Sequence, residues 1–387
     1  MIPYARQDIQ ANDIAAVVEV LQSDFLTQGA AVPRFEDTVA QHCGVDHAVA
    51  VNSATSALHI ALMALDVGPD DVVWTSPNTF VASSNAALYC GANVDFVDID
   101  CETYNISVSS LSEKLVQAQQ LGKLPKVLIP VHLTGQPCDM QGIHELAQQY
   151  GFMVVEDASH AIGGCYQDQP IGNCAYSDVT VFSFHPVKIV TTAEGGMALT
   201  NDGNLATKMA LYRNHGITRD PALMTHASDG PWYYQQITLG YNYRMTDLQA
   251  ALGVSQMHRL QNYIERRHEI ADRYTRELAH LPITLPKQEN FSYSAYHLYV
   301  IRLDLEAIKP LNHAQVFQYL RDREILVNLH YIPVHTQPHY QDMGFAWGDF
   351  PNAEAYYRSA ISIPMYPTLT DAAQTQVIAA LNEILVK

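Results

Sequence analysis

Lys188 lies in Ser183-Phe184-His185-Pro186-Val187-Lys188, between the apolar runs Val179–Phe184 and Met197–Leu199. The chain has only eight lysines in 387 residues, and most of the others occupy polar contexts. A lysine between two buried strands is costly to desolvate unless something uses it. Burial lowers the amine pKa and makes the nitrogen nucleophilic, so one use is a Schiff base with a carbonyl cofactor. The competing reading is a strand-end lysine that snorkels to solvent.

Other residues add to this reading. Asn52-Ser53-Ala54-Thr55-Ser56-Ala57 is a strand-to-helix turn of small residues. Such a turn lets backbone N–H groups approach a phosphate at a helix N-terminus, although taken alone an ordinary Ser/Thr N-cap is the better explanation. Val154-Val155-Glu156-Asp157-Ala158-Ser159-His160 puts two carboxylates at a strand end. One of them can hold a protonated heterocycle nitrogen, a pairing whose loss typically costs about 3–5 kcal/mol. The plainer role is a turn cap. His160 can stack or hydrogen-bond at the same mouth, or be structural. Phe80, just past a strand, can stack on a flat ring or belong to the core. Together these residues meet the requirements of pyridoxal phosphate. There is no G-x-G-x-x-G and no Walker sequence, so dinucleotide and P-loop readings lack support.

The elements that position these residues follow from the apolar pattern. Strands are predicted at 47–52, 71–76, 93–98, 126–132, 152–156, 178–184 and 196–200, with helices at 54–66, 79–90, 107–121 and 139–150. Wholly apolar strands separated by helices imply a mostly parallel sheet covered on both faces. Its ligand site should lie beyond the carboxyl ends of the strands. Residues 244–281 read as one long helix with Asp247, Arg259, Glu265 and Arg266 on its polar face. The remainder mixes strands (297–303, 325–329) with helices (312–322, 351–360, 370–385). The expected division is 1–245, a large cofactor domain with an N-terminal substrate-site segment, and 246–387, the long connecting helix with a smaller C-terminal α+β domain.

Bulk properties narrow the function. At roughly 150 residues per domain, this length suggests two domains. The net charge of −18 argues against nucleic-acid or anionic membrane surfaces. The six cysteines show no CxxC spacing and are expected to be reduced thiols in the cytosol, several of them buried. Met1–Asp8 has no apolar core of signal-peptide length, and no run approaches the ~20 apolar residues of a membrane helix. His330, His335 and His339 are spaced by five and four residues across a proline-broken loop. Without a cysteine or clustered carboxylate they predict no metal site.

The chain resembles the DegT/DnrJ/EryC1/StrS family of sugar aminotransferases almost end to end. The motifs are Ser23–Gly29, Asn52–Leu58, Glu156–Gly163, Ser183-Phe184-His185 with Lys188, Thr191–Gly196 and Gly240–Asp247. The resemblance implies the fold type I (aspartate aminotransferase-like) architecture and pyridoxal phosphate, cycling through its pyridoxamine form. It implies that Lys188 is the Schiff-base lysine and that Asp157 faces the ring nitrogen. It further implies that Phe80 stacks on the ring, that Ala54, Thr55 and Ser183 bind the phosphate, and that His160 sits close by. Asn242 would reach the cofactor phosphate of a neighbouring subunit, making the active unit a homodimer. RQDI, SDFLTQG, SATSAL, SFHPVK and TTAEGG most resemble the aminotransferases of pseudaminic acid biosynthesis. That implies transfer from L-glutamate to carbon four of a UDP-linked, N-acetylated 4-keto-6-deoxy sugar. Related members act on carbon three or on dTDP sugars. A relative with histidine for lysine is a dehydratase, and a regulatory protein without turnover is the remaining alternative. Arg6 and Arg219 are candidates for the nucleotide diphosphate, and His330 or His335 for contact with the sugar.

Overall fold

The computed structural model describes residues 1–386. Seven strands form the central sheet: β1 (His47–Val51), β2 (Val72–Thr75), β3 (Asn93–Phe96), β4 (Val127–Ile129), β5 (Met153–Asp157), β6 (Val179–Ser183) and β7 (Gly196–Thr200). Their order is β1-β7-β6-β5-β4-β2-β3, with β7 antiparallel to both neighbours and the other pairings parallel. Each strand falls within or one residue beyond its predicted range. β6 and β7 are buried at every position, as expected of strands covered on both faces. One layer packs helix Ala54–Ala64 against Val155, Val179 and Val181. The opposite layer packs helices Ala31–Cys43, Val108–Leu121 and Met140–Tyr150 against Val154, Phe182 and Leu199.

The helix expected over 244–281 is two helices, Asp247–Met257 and Leu260–Leu278. Arg259 leaves helical geometry between them, and its Nη2 reaches the buried Asp13 Oδ2 at 2.6 Å. Asp247 is not on a polar face. It is 1% exposed and accepts the N–H groups of Gly29, Ala31 and Val32 at 2.7, 2.7 and 3.1 Å. It therefore caps Ala31–Cys43, joining two of the family motifs.

A second core gathers around the antiparallel strands Ile283–Thr284, Tyr299–Leu303 and Ala360–Ile363. Helices Leu260–Leu278, His313–Asp322 and Asp371–Leu385 cover it. Ile2–Pro3 pairs in parallel with Ile325–Leu326, so the chain's first residues join this smaller unit. The strand expected at 325–329 is only those two residues, followed by a bridge from Asn328 to Ser362. Cys43, Cys138 and Cys174 are buried free thiols, while Cys101 is exposed. Among the described residues no helix is long and apolar enough to cross a membrane. No group of three or more metal-ligating side chains occurs among them.

Candidate active site

The carboxyl ends of β1, β5 and β6 meet the start of antiparallel β7, because Gly196 pairs with both Val51 and Ser183. At this edge β1 runs into helix Ala54–Ala64. Ser53 caps it, its Oγ accepting the Ser56 N–H at 3.1 Å. The N–H groups of Ala54 and Thr55, in the first turn, have no intrahelical acceptor and carry the positive end of the helix dipole. Gly196 explains the turn's close approach to the sheet. A Cβ there would lie 2.4 Å from the Ala54 nitrogen and the Ser53 carbonyl carbon.

Pleat alternation separates the two carboxylates of β5. Asp157 faces a cavity of about 570 Å³. Its oxygens accept the Ser83 hydroxyl at 2.6 Å and the Ser159 N–H at 3.1 Å. Glu156 faces the other layer and accepts from His132 at 2.7 Å and Thr180 at 3.0 Å. The Cys138 N–H points at His132 Nδ1 at 3.0 Å. The ring's proton therefore sits on Nε2, toward Glu156.

Lys188 lies on the loop from β6 to β7. Phe184 N–H donates to Gly195 O and Thr192 N–H to Phe184 O, both at 2.9 Å, which closes the loop. The Lys188 stem is half-buried and the residue lines the cavity. Burial draws its amine down to about 8, against a weaker opposing pull from Asp157. Phe80 lies on the wall, 57% exposed.

The smaller unit closes the cavity with Tyr4, His297, Asn328, His330 and Tyr331. Thr134 N–H donates to His160 Nδ1 at 3.3 Å. The His160 proton therefore sits on Nε2, 3.1 Å from the Tyr331 hydroxyl. His330 Nδ1 lies 2.8 Å from Ser362 Oγ. Burial first, then the nearby Lys188, holds His330 down to about 3 and keeps the His160 ring neutral; burial, then His160, does the same for His297.

Ala54, Thr55, Phe80, Asp157, His160, Ser183, Lys188 and His330 thus share one cavity. Four candidates lie elsewhere. His335 is fully buried against Glu354, 3.1 Å from its Oε1, and does not face a sugar. Arg6 is exposed outside the cavity, Arg219 lines a separate cleft with Arg213 and Arg244, and Asn242 is exposed at the surface. Sequence reasoning did not single out Ser83, Tyr331 or Glu194. Glu194 and Tyr331 stand inside segments already singled out, TTAEGG and His330–Tyr340. Ser83 carries no motif signal.

The residues present fit pyridoxal phosphate. An anion cradle, an exposed aromatic ring, an oriented carboxylate and an amine with no hydrogen bond or ion pair among the described residues surround one space. The fold is that of a pyridoxal-phosphate-dependent aminotransferase. Residues 7–382 match the DegT/DnrJ/EryC1/StrS aminotransferase family, and the chain belongs to it. It is 39% identical to the spore coat polysaccharide biosynthesis protein SpsC of Bacillus subtilis over 387 residues, covering 99% of this chain and 97% of that protein. It superposes with a TM-score of 0.89 at 29% identity on Helicobacter pylori PseC, an aminotransferase involved in pseudaminic acid biosynthesis, covering 99% of both chains. The same TM-score, identity and coverage hold for Streptococcus pneumoniae Spr1654, described as a sugar aminotransferase, in its PMP form.

Proposed function

We infer that this protein moves the amino group of L-glutamate to carbon four of a UDP-linked 2-acetamido-2,6-dideoxy-4-hexulose. The likeness to PseC supports the sugar, and SpsC supports a role in polysaccharide building. The observation that carries the reaction class is the Lys188 amine beside the oriented carboxylate of Asp157.

Lys188 would hold the cofactor aldehyde, Asp157 the ring nitrogen, Phe80 a ring face, and Ala54, Thr55 and Ser183 the phosphate. When bound, pyridoxal phosphate supplies an aldehyde that condenses with amines and a ring that accepts an electron pair. When not bound to the aldehyde, the Lys188 amine, lowered to about 8 in the cofactor-free chain, would take the proton from the α-carbon of glutamate and deliver one at the sugar's carbon four. Such proton transfer contributes about 10²–10⁴-fold. Asp157, locked by Ser83 and Ser159, stays an acceptor and keeps the ring nitrogen protonated. The neutral ring of His160 presents Nε2–H rather than a second positive charge.

The active unit is a homodimer in this reading. Lys188 is the one lysine or arginine lining the cavity among the described residues. Phosphate, diphosphate and glutamate carboxylates all need positive partners. Exposed Arg219 and Asn242 of a second copy can supply polar and positive groups that the single chain does not. The test offers purified protein glutamate with a panel of UDP- and dTDP-keto sugars, read by mass spectrometry. Aminated UDP-4-keto sugar is expected. Reaction with dTDP sugars alone contradicts the substrate, and conversion without an amino donor points to a dehydratase.

A further inference from the structure

We propose that Glu194 is the acceptor that reads hydroxyl or amide N–H donors on the sugar, and that its charge makes the same position unfavourable for glutamate. The proposal rests on the nucleotide-sugar reading above. Glu194 lines the cavity, and its side chain is 62% exposed. Its backbone is held firmly. The Glu194 carbonyl accepts Thr192 Oγ1 at 2.8 Å and Gln249 Nε2 at 2.7 Å. Gln249 is itself fixed in the capping box of Thr246. Ala193, just before, has a φ of 66°, a conformation that surrounding contacts must maintain.

The carboxylate is free although its backbone is pinned. The one side chain within ion-pair range of it among the described residues is His185, whose Nε2 is 3.9 Å away, beyond hydrogen-bond distance. Three other polar side chains on the wall already have partners. Asp157 already accepts from Ser83 and Ser159, and its remaining capacity is assigned to the cofactor ring nitrogen. His160 faces Thr134 and Tyr331, and His330 faces Ser362 and Asn328. Among the described residues lining the cavity, Glu194 is therefore the charged acceptor with no hydrogen bond.

The two substrates differ in what they ask of such a group. An N-acetylated keto sugar brings hydroxyl and amide donors, which lose water on entry and must be paired again. Glutamate brings two carboxylates, which a third carboxylate repels. One side chain should then act in opposite directions on the two halves of the reaction. A purely structural residue would weaken both.

The experiment follows each half-reaction of the holoenzyme through the cofactor's colour, which glutamate removes and the keto sugar restores. With Glu194→Gln, recovery by the UDP-linked 2-acetamido-2,6-dideoxy-4-hexulose should slow by about 10- to 100-fold, the scale of a charge-assisted hydrogen bond. The glutamate concentration giving half-maximal colour loss should fall. Glu194→Asp should lie between Gln and wild type. Cofactor-free Glu194→Gln should bind the keto sugar about tenfold more weakly by calorimetry, with UDP itself bound as in wild type. Equal slowing of both halves, or unchanged keto-sugar affinity in the cofactor-free protein, overturns the proposal. Wild-type protein that keeps its colour with glutamate contradicts the aminotransferase reading instead, and the calorimetric comparison still decides the role of Glu194.

Discussion

Lys188 ties the chemistry to a measurable cost. Unfolded, a lysine keeps its proton to about pH 10.5, whereas in the folded, cofactor-free chain burial releases it near pH 8. Between those values the unfolded chain binds more protons, so stability rises with pH. Below about pH 8 both states are protonated and the folded state carries the burial penalty in full. Cofactor-free Lys188→Met should therefore resist urea better than wild type at neutral pH, and the gap should close as pH climbs toward 10.5. Urea midpoints of the two proteins across that range check this, and a gap independent of pH contradicts it. Lys188 was legible because its burial is written in the flanking apolar runs. Which carboxylate of Glu156-Asp157 faces the cavity was not, because that choice depends on the pleat of β5. Nor was the burial of His335, since a loop's inward side is set by what packs on it, here Glu354.

Elements place those residues, and glycine controls one of the closest approaches. Gly196 lets the first turn of Ala54–Ala64 rest against β7. Gly196→Ala forces a Cβ to within 2.4 Å of the Ala54 nitrogen, a contact that backbone must relieve. We expect a loss of about 1–3 kcal/mol, as for overpacked cores. We also expect a weaker hold on pyridoxal phosphate, because the displaced atoms are those of the anion cradle. Urea unfolding and cofactor titration measure the two effects, and an unchanged cofactor affinity would remove the cradle from this turn. The sheet strands were readable because they are apolar throughout. The break at His258–Arg259 was not, because it depends on Arg259 reaching Asp13, 246 positions away in sequence. Asp247 looked like a polar-face residue because its partners, Gly29 to Val32, meet it only in the folded chain.

At the scale of the whole molecule, the proposed function asks a chain of net charge −18 to bring several anions to one cavity that a single lysine lines among the described residues. A homodimer resolves this if each copy lends exposed polar groups to the other. Lys188→Ala and Asn242→Ala proteins, mixed so that subunits exchange, should then show more activity than the sum of the two alone. Mixed pairs contain one site with Lys188 and Asn242 both intact. An activity equal to the sum contradicts sharing between copies. The distribution of charge between subunits is not visible in one sequence, which shows only that arginines are few. The most direct measurement is borohydride reduction of the pure protein supplied with pyridoxal phosphate, followed by peptide mapping. The account predicts one reduced cofactor adduct, on Lys188, and none in Lys188→Ala. A wild-type chain with no adduct, or with its adduct on another lysine, would contradict it.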